Sequence, residues 1–132
     1  MPYELIDHTG DVGIDVRAPT LEGIYAEAAR ALSEILVEAA DPRPVESADF
    51  PVPAESPAEG LRDFLAEILY RFSAERKIYV SFTPGNGTVR AAGGPFDPAR
   101  HALRTEIKAV TWHGLRVAKE EEGWTARVIF DV

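Results

Sequence analysis

The 132-residue chain has no cysteine, one methionine and three histidines, and its basic residues are outnumbered by acidic ones, 14 to 22. Without cysteine there are no disulfides, thiol nucleophiles or thiolate zinc sites. His8, His101 and His113 do not fall at zinc-ligand spacings, so a zinc centre is not expected. No apolar run approaches the roughly 20 residues that span a bilayer. The opening Met1-Pro2-Tyr3-Glu4-Leu5-Ile6-Asp7 lacks the basic and apolar segments of a secretory signal, so a cytoplasmic protein without a membrane partner is expected. The net charge of −8 argues against direct DNA or RNA binding, because phosphate backbones are held by clustered Lys and Arg. The densest basic stretch, residues 71–77, is diluted by Phe72, Ala74 and Glu75. RNA would reach this protein through a basic partner. Gly85-Asn86-Gly87 and Gly93-Gly94-Pro95 lack the phosphate-loop pattern. No serine stands in a nucleophile elbow.

What is present suits one globular domain: 45% hydrophobic and 27% charged residues. Residues 3–6 and 12–17 read as strands, the second alternating Val12, Ile14 and Val16 with Gly13, Asp15 and Arg17. Thr20 is a good N-cap for a helix carrying Ile24, Ala28, Ala31, Leu32 and Ile35 on one face and fading near Glu38. Residues 41–57 read as a polar, Pro-rich connection with one edge strand near residues 50–52. Ser56-Pro57-Ala58-Glu59 has the form of a capping box with proline at the first helical position. It opens a helix striped by Leu61, Phe64, Leu65, Ile68, Leu69 and Phe72. Residues 78–82 and 88–91 flank a turn and predict a hairpin. Asp97-Pro98 starts a short helical turn to about His101, and residues 103–112, 115–119 and 124–132 form a meander. The expected fold is α+β: a single domain of two amphipathic helices packed on a mixed, largely antiparallel sheet.

Two acidic places stand out. In the last strand Thr125, Arg127, Ile129 and Asp131 share one face, and Asp131 stands beside the α-carboxylate of Val132. Both groups are anionic at neutral pH, and a cation between them relieves their repulsion. A third carboxylate would complete an oxygen cage of the kind Ca²⁺ or Mg²⁺ takes; a merely solvated terminus is the alternative. Asp7-His8-Thr9-Gly10-Asp11 is the natural source of that ligand. Asp7, His8 and Asp11 suit a metal or an acid/base pair, or else a turn whose Asp side chains bond nearby N–H groups. Asp11 shares the outward parity of Gly13 and Asp15. Arg104, Glu106 and Lys108 alternate with Thr105, Ile107 and Ala109 as a solvated sheet face would.

Several segments, in order, resemble the archease family. They are Asp7-His8-Thr9-Gly10-Asp11-Val12-Gly13, the helix over residues 61–72, Gly94-Pro95-Phe96-Asp97-Pro98-Ala99-Arg100-His101, residues 105–115 and the ending Val128-Ile129-Phe130-Asp131-Val132. Trp112 stands where the family more often has tyrosine. The resemblance implies an activator and no catalytic residues. Archeases assist the RtcB-type RNA ligase, which seals tRNA halves and repairs RNA ends using GTP and Mn²⁺. They promote guanylylation of the ligase's own histidine and support multiple turnover, so tRNA is met only through the ligase. The family also implies a divalent cation, Ca²⁺ with Mg²⁺ or Mn²⁺ as alternatives. Its metal carboxylates carry over to Asp11, Asp131 and the Val132 terminus, and its functional lysine to Lys108. Asp7, His8 and His113 are secondary candidates. The rival expectations are a stand-alone metal-dependent phosphoester hydrolase and a general small chaperone or adaptor.

Overall fold

The computed structural model describes residues 3–8, 11–39 and 44–132, without the side chains of Asp7, His8 and Ala39. The Thr9-Gly10 turn and the segment of residues 40–43 lie outside the described residues. In chain order the elements are β1 (Tyr3–His8), β2 (Asp11–Ala18), α1 (Leu21–Leu36), β3 (Val37–Ala39), β4 (Glu46–Pro51), α2 (Pro57–Glu75), β5 (Lys77–Pro84), β6 (Thr88–Pro95), β7 (His101–Leu103), β8 (Ala109–Val110), β9 (Arg116–Glu120) and β10 (Gly123–Asp131). Neither helix is long and apolar enough to cross a membrane.

Every described strand pairing is antiparallel, and the strands form three sheets where one was expected. In the largest, β2 lies between β1 and β10, and the far edge of β10 takes β9 along one part and β8 along the other. A second sheet runs β4-β6-β5, and β3 pairs with β7 alone. The alternation in β2 and β10 directs Ile14, Val16, Ala126, Val128 and Phe130 into the core, all buried.

The two helices meet that core differently. Along α2, Leu61, Phe64, Leu65, Ile68, Leu69 and Phe72 are buried, and the others are not, as a one-sided stripe requires. By contrast α1 is buried over eleven of its sixteen residues, because strands of both larger sheets and α2 pack around it. Alanines 26, 28, 29 and 31 let those neighbours approach. Thr20 Oγ1 accepts the Gly23 N–H at 3.0 Å, the expected N-cap. Ser56 occupies the N-cap of α2 but makes no side-chain capping bond, so the expected capping box does not form. Its backbone, at φ −144° and ψ 64°, lies outside the extended region where a capping hydroxyl meets the first turn. The start of α2 is fixed instead by Tyr25, whose hydroxyl donates to Pro57 O at 2.7 Å. Gly60 permits this approach: a Cβ there would stand 2.3 Å from Pro53 Cγ and 2.5 Å from the Tyr25 hydroxyl.

Three further expectations need correction. The helix expected to fade near Glu38 ends at Leu36 and continues as β3. The edge strand expected near residues 50–52 is the longer β4, whose six residues pair with β6. The continuous strand expected over residues 103–112 is broken into β7 and β8, because residues 104 and 105 are drawn to the end of α1. Arg104 N donates to Leu36 O at 2.9 Å and Thr105 N to Ile35 O at 3.1 Å. With Val37 N on Ser33 O and the Arg104 guanidinium on Glu34 O at 3.3 Å, the last four carbonyls of α1 are all satisfied. The turn after Asp97 is present, with Arg100 N and His101 N both donating to Asp97 O, and leads directly into β7.

Candidate metal corner at the end of β2 and β10

Strand register decides which side chains share the outer face of the large sheet. It pairs Asp131 with Asp11, Ile129 with Gly13, and Arg127 with Asp15. On the other side of β2 it pairs His8 with Asp11, Ile6 with Gly13, and Glu4 with Asp15. Directly opposed residues of an antiparallel pair project to the same side. The face therefore ends in a carboxylate pair, Asp11 and Asp131, with Val132 next in the chain. Asp7 is in register with Val12, so the backbone assigns His8, and not Asp7, to the row of Asp11 and Asp131. The side chains of Asp7 and His8 lie outside the described residues.

The next row inward is apolar. Ile129 is 5% exposed although it sits on the outer face, because its side chain lies over Gly13. A Cβ on Gly13 would be 2.7 Å from Ile129 Cδ1 and 3.3 Å from Ile6 Cβ. Beyond it Arg127 grips Asp15 with two hydrogen bonds, Nε–Oδ1 at 2.8 Å and Nη2–Oδ2 at 2.9 Å. Those bonds hold the Asp15 carboxyl below its usual range against the opposing pull of desolvation, and the Arg127 guanidinium is correspondingly raised.

Lys108 reaches the corner through its backbone. Its N–H donates to Asp131 O at 2.7 Å, one residue before Ala109 pairs with Asp131. Its side chain is exposed and forms no ion pair among the described residues. Thr111 clamps the same edge, giving its N–H at 3.0 Å and its hydroxyl at 2.9 Å to Ile129 O. His113 lies beyond this clamp, in the turn between β8 and β9, where its N–H bonds Thr111 Oγ1 at 3.2 Å. Asp131 is exposed and Asp11 and Val132 are half-buried. Among the described residues no group of three His, Cys, Asp or Glu is gathered to hold a metal ion. Asp11 and Asp131 are thus a pair of hard oxygen donors, and a complete cage needs a ligand from outside that set, such as a terminal carboxylate.

Residues 3–132 match the model of the archease protein family. The chain belongs to the archease family. It is 34% identical to the archease of Methanopyrus kandleri, with both chains covered in full, and 30% identical to that of Pyrococcus furiosus over 98% of each. Protein 1598 of Methanobacterium thermoautotrophicum, a solution structure, superposes with a TM-score of 0.79 at 25% identity, covering 99% of each chain. A crystal structure from Thermotoga maritima, described as an archease and possible chaperone, shares the fold with a TM-score of 0.71 at 18% identity over 98% and 96% of the two chains. The archease names of these relatives describe proteins, and none is the name of an enzyme. Reading the sequence did not find the Asp15–Arg127 grip or the Thr111 clamp. Parity alone puts Asp15 and Arg127 on outward faces, but only the register makes them neighbours.

Proposed function

We propose that this archease activates an RtcB-type RNA ligase, promoting transfer of GMP from GTP to the ligase's own histidine and sustaining multiple turnover. The observation that carries this reading is the pairing of Asp11 with Asp131 across β2 and β10, one residue short of Val132. Like charges placed directly opposite one another weaken a sheet. A carboxylate pair at the end of an otherwise well-matched face is what a cation-holding corner needs. Two carboxylates, with the Val132 carboxyl as a third, suit Ca²⁺, Mg²⁺ or Mn²⁺ by their chemistry. A bound divalent cation would supply positive charge between them.

The chain's own residues do the rest. Asp131, exposed, and Asp11, half-buried opposite it, place two carboxylates at this tip. The Lys108 N–H fixes the backbone of Asp131, and its ammonium, in no ion pair among the described residues, suits a phosphate or a partner's carboxylate. An acidic tip on a chain of net charge −8 is drawn to the basic cleft that binds RNA in such a ligase, and salt weakens that attraction.

The test is GMP transfer onto a purified ligase under multiple turnover, with this protein, Asp11→Ala, Asp131→Ala and a C-terminally tagged form. The reading expects stimulation by the unaltered protein alone. Equal stimulation by all four would keep the activator and discard the corner. If none stimulates, the chaperone and hydrolase readings return, separated by whether unrelated clients or a phosphoester respond to the protein on its own.

A further inference from the structure

An acidic tip steers encounter but contributes little lasting affinity; durable interfaces centre on a desolvated aromatic or Arg anchor. Among the described residues five large hydrophobic ones are exposed: Leu5, Val45, Tyr70, Leu103 and Trp112. Of these only Trp112 belongs to the short edge segment that also carries Lys108 and is hydrogen-bonded to the backbone of Ile129 and Asp131. Its indole is 57% exposed, yet it is not loose. The Arg62 guanidinium lies over the ring, 5.0 Å from the centroid. Arg62 is itself tied down, its Nε–H donating to Val110 O at 3.2 Å. Helix α2 therefore holds one face of the indole, and the rest is presented to solvent in a fixed orientation. A side chain already ordered in the free protein loses little freedom when a partner covers it.

Resting on the activator reading, we propose that Trp112, seated on Arg62, is the apolar anchor by which this protein docks on its RNA ligase. The partner surface it fits is an apolar recess beside a basic cleft. The recess takes the indole, and the cleft receives the carboxylates of Asp11 and Asp131, which border the Lys108 end of that segment. The two features divide the labour: the acidic corner acts on the ligase's chemistry, while the indole sets how long the complex lasts.

Titrating the ligase with this protein separates the two. Trp112→Ala raises the half-saturating concentration for stimulated GMP transfer by about 30-fold, the mark of an interface hot spot. Trp112→Tyr restores most of that loss, and Arg62→Gln gives a smaller rise. Asp131→Asn acts on the plateau rate. Tyr70→Ala, which removes an equally exposed aromatic about two turns along α2 from Arg62, leaves the half-saturating concentration unchanged. With 5-fluorotryptophan in this protein, the Trp112 resonance shifts on adding unlabelled ligase and that of Trp124 does not. The anchor is overturned if Trp112→Ala, still folded by its thermal melt, binds the ligase as tightly as the parent, or if Tyr70→Ala weakens it equally. No stimulation by the parent protein would instead sink the activator reading, and the anchor with it.

Discussion

On the outer face of β2 and β10 two cross-strand pairs lie four residues apart and differ by one sign of charge. Asp15 faces Arg127, and the two form a bidentate ion pair. Asp11 faces Asp131, and like charges meet. Strands, face and pairing direction are the same, so the difference isolates what each end of the sheet is for. The Asp15 end satisfies its charges within the fold. The Asp11 end sets two carboxylates opposite one another, and there the Lys108 N–H meets the backbone of Asp131. Between them Ile129 lies over Gly13 and separates the ion pair from the carboxylate pair.

The comparison can be broken in several ways. The largest effect is on activity: Asp131→Arg turns the like-charge pair into one of opposite charge, and under the proposed activator role stimulation of the ligase is lost in the multiple-turnover assay. Next is Ile129→Ala, which empties the buried divider and lowers unfolding free energy by about 3 kcal/mol in urea titration. A smaller change of opposite sign comes from Asp131→Asn. In chelator it removes the like-charge contact and raises stability by about 0.5 kcal/mol, whereas Asp15→Asn lowers it. Smallest is the pH signature. The Asp15 carboxyl is held below its ordinary range by Arg127, so its contribution is present above the unfolded-state pKa and is lost as pH falls through the folded one. Asp15→Asn therefore flattens the loss of stability below about pH 4, seen as a denaturation midpoint that changes less on acidification. Because both side chains are well exposed the effect is small.

Much of this was legible before any coordinates, for reasons that differ by element. The stripe from Leu61 to Phe72 uses large residues at unambiguous spacing, and all six positions are buried. The alternation in β2 and β10 sorted inward from outward residues correctly, except that Ile129 is covered although it faces out. Elsewhere the pattern failed where hydrogen bonding overrode it. Residues 104 and 105 look like a strand because their side chains alternate, but their N–H groups close the end of α1. Alanines in α1 fit any environment, so their pattern could not reveal a helix enclosed on several sides. Ser56 has the composition of a cap without the backbone to act as one. At the corner, parity made Asp11 and Asp131 outward-facing, but register, set by how three strands assemble, brought them opposite each other.

The bonds from residues 104 and 105 to the last turn of α1 have a dynamic consequence. The segment that ends at Lys108 is fastened at one end to the innermost helix and at the other to the backbone of Asp131. The amides of Arg104 and Thr105 exchange when the segment leaves the end of α1, and that of Lys108 when it parts from Asp131. Loosening the end of α1, for instance with a glycine at Leu36, would release the Arg104 end of the tether and let Lys108 shift, while Asp131 stays in register with Asp11 across β10 and β2. The lysine would lose its fixed place beside the carboxylates while the sheet that pairs them stayed whole.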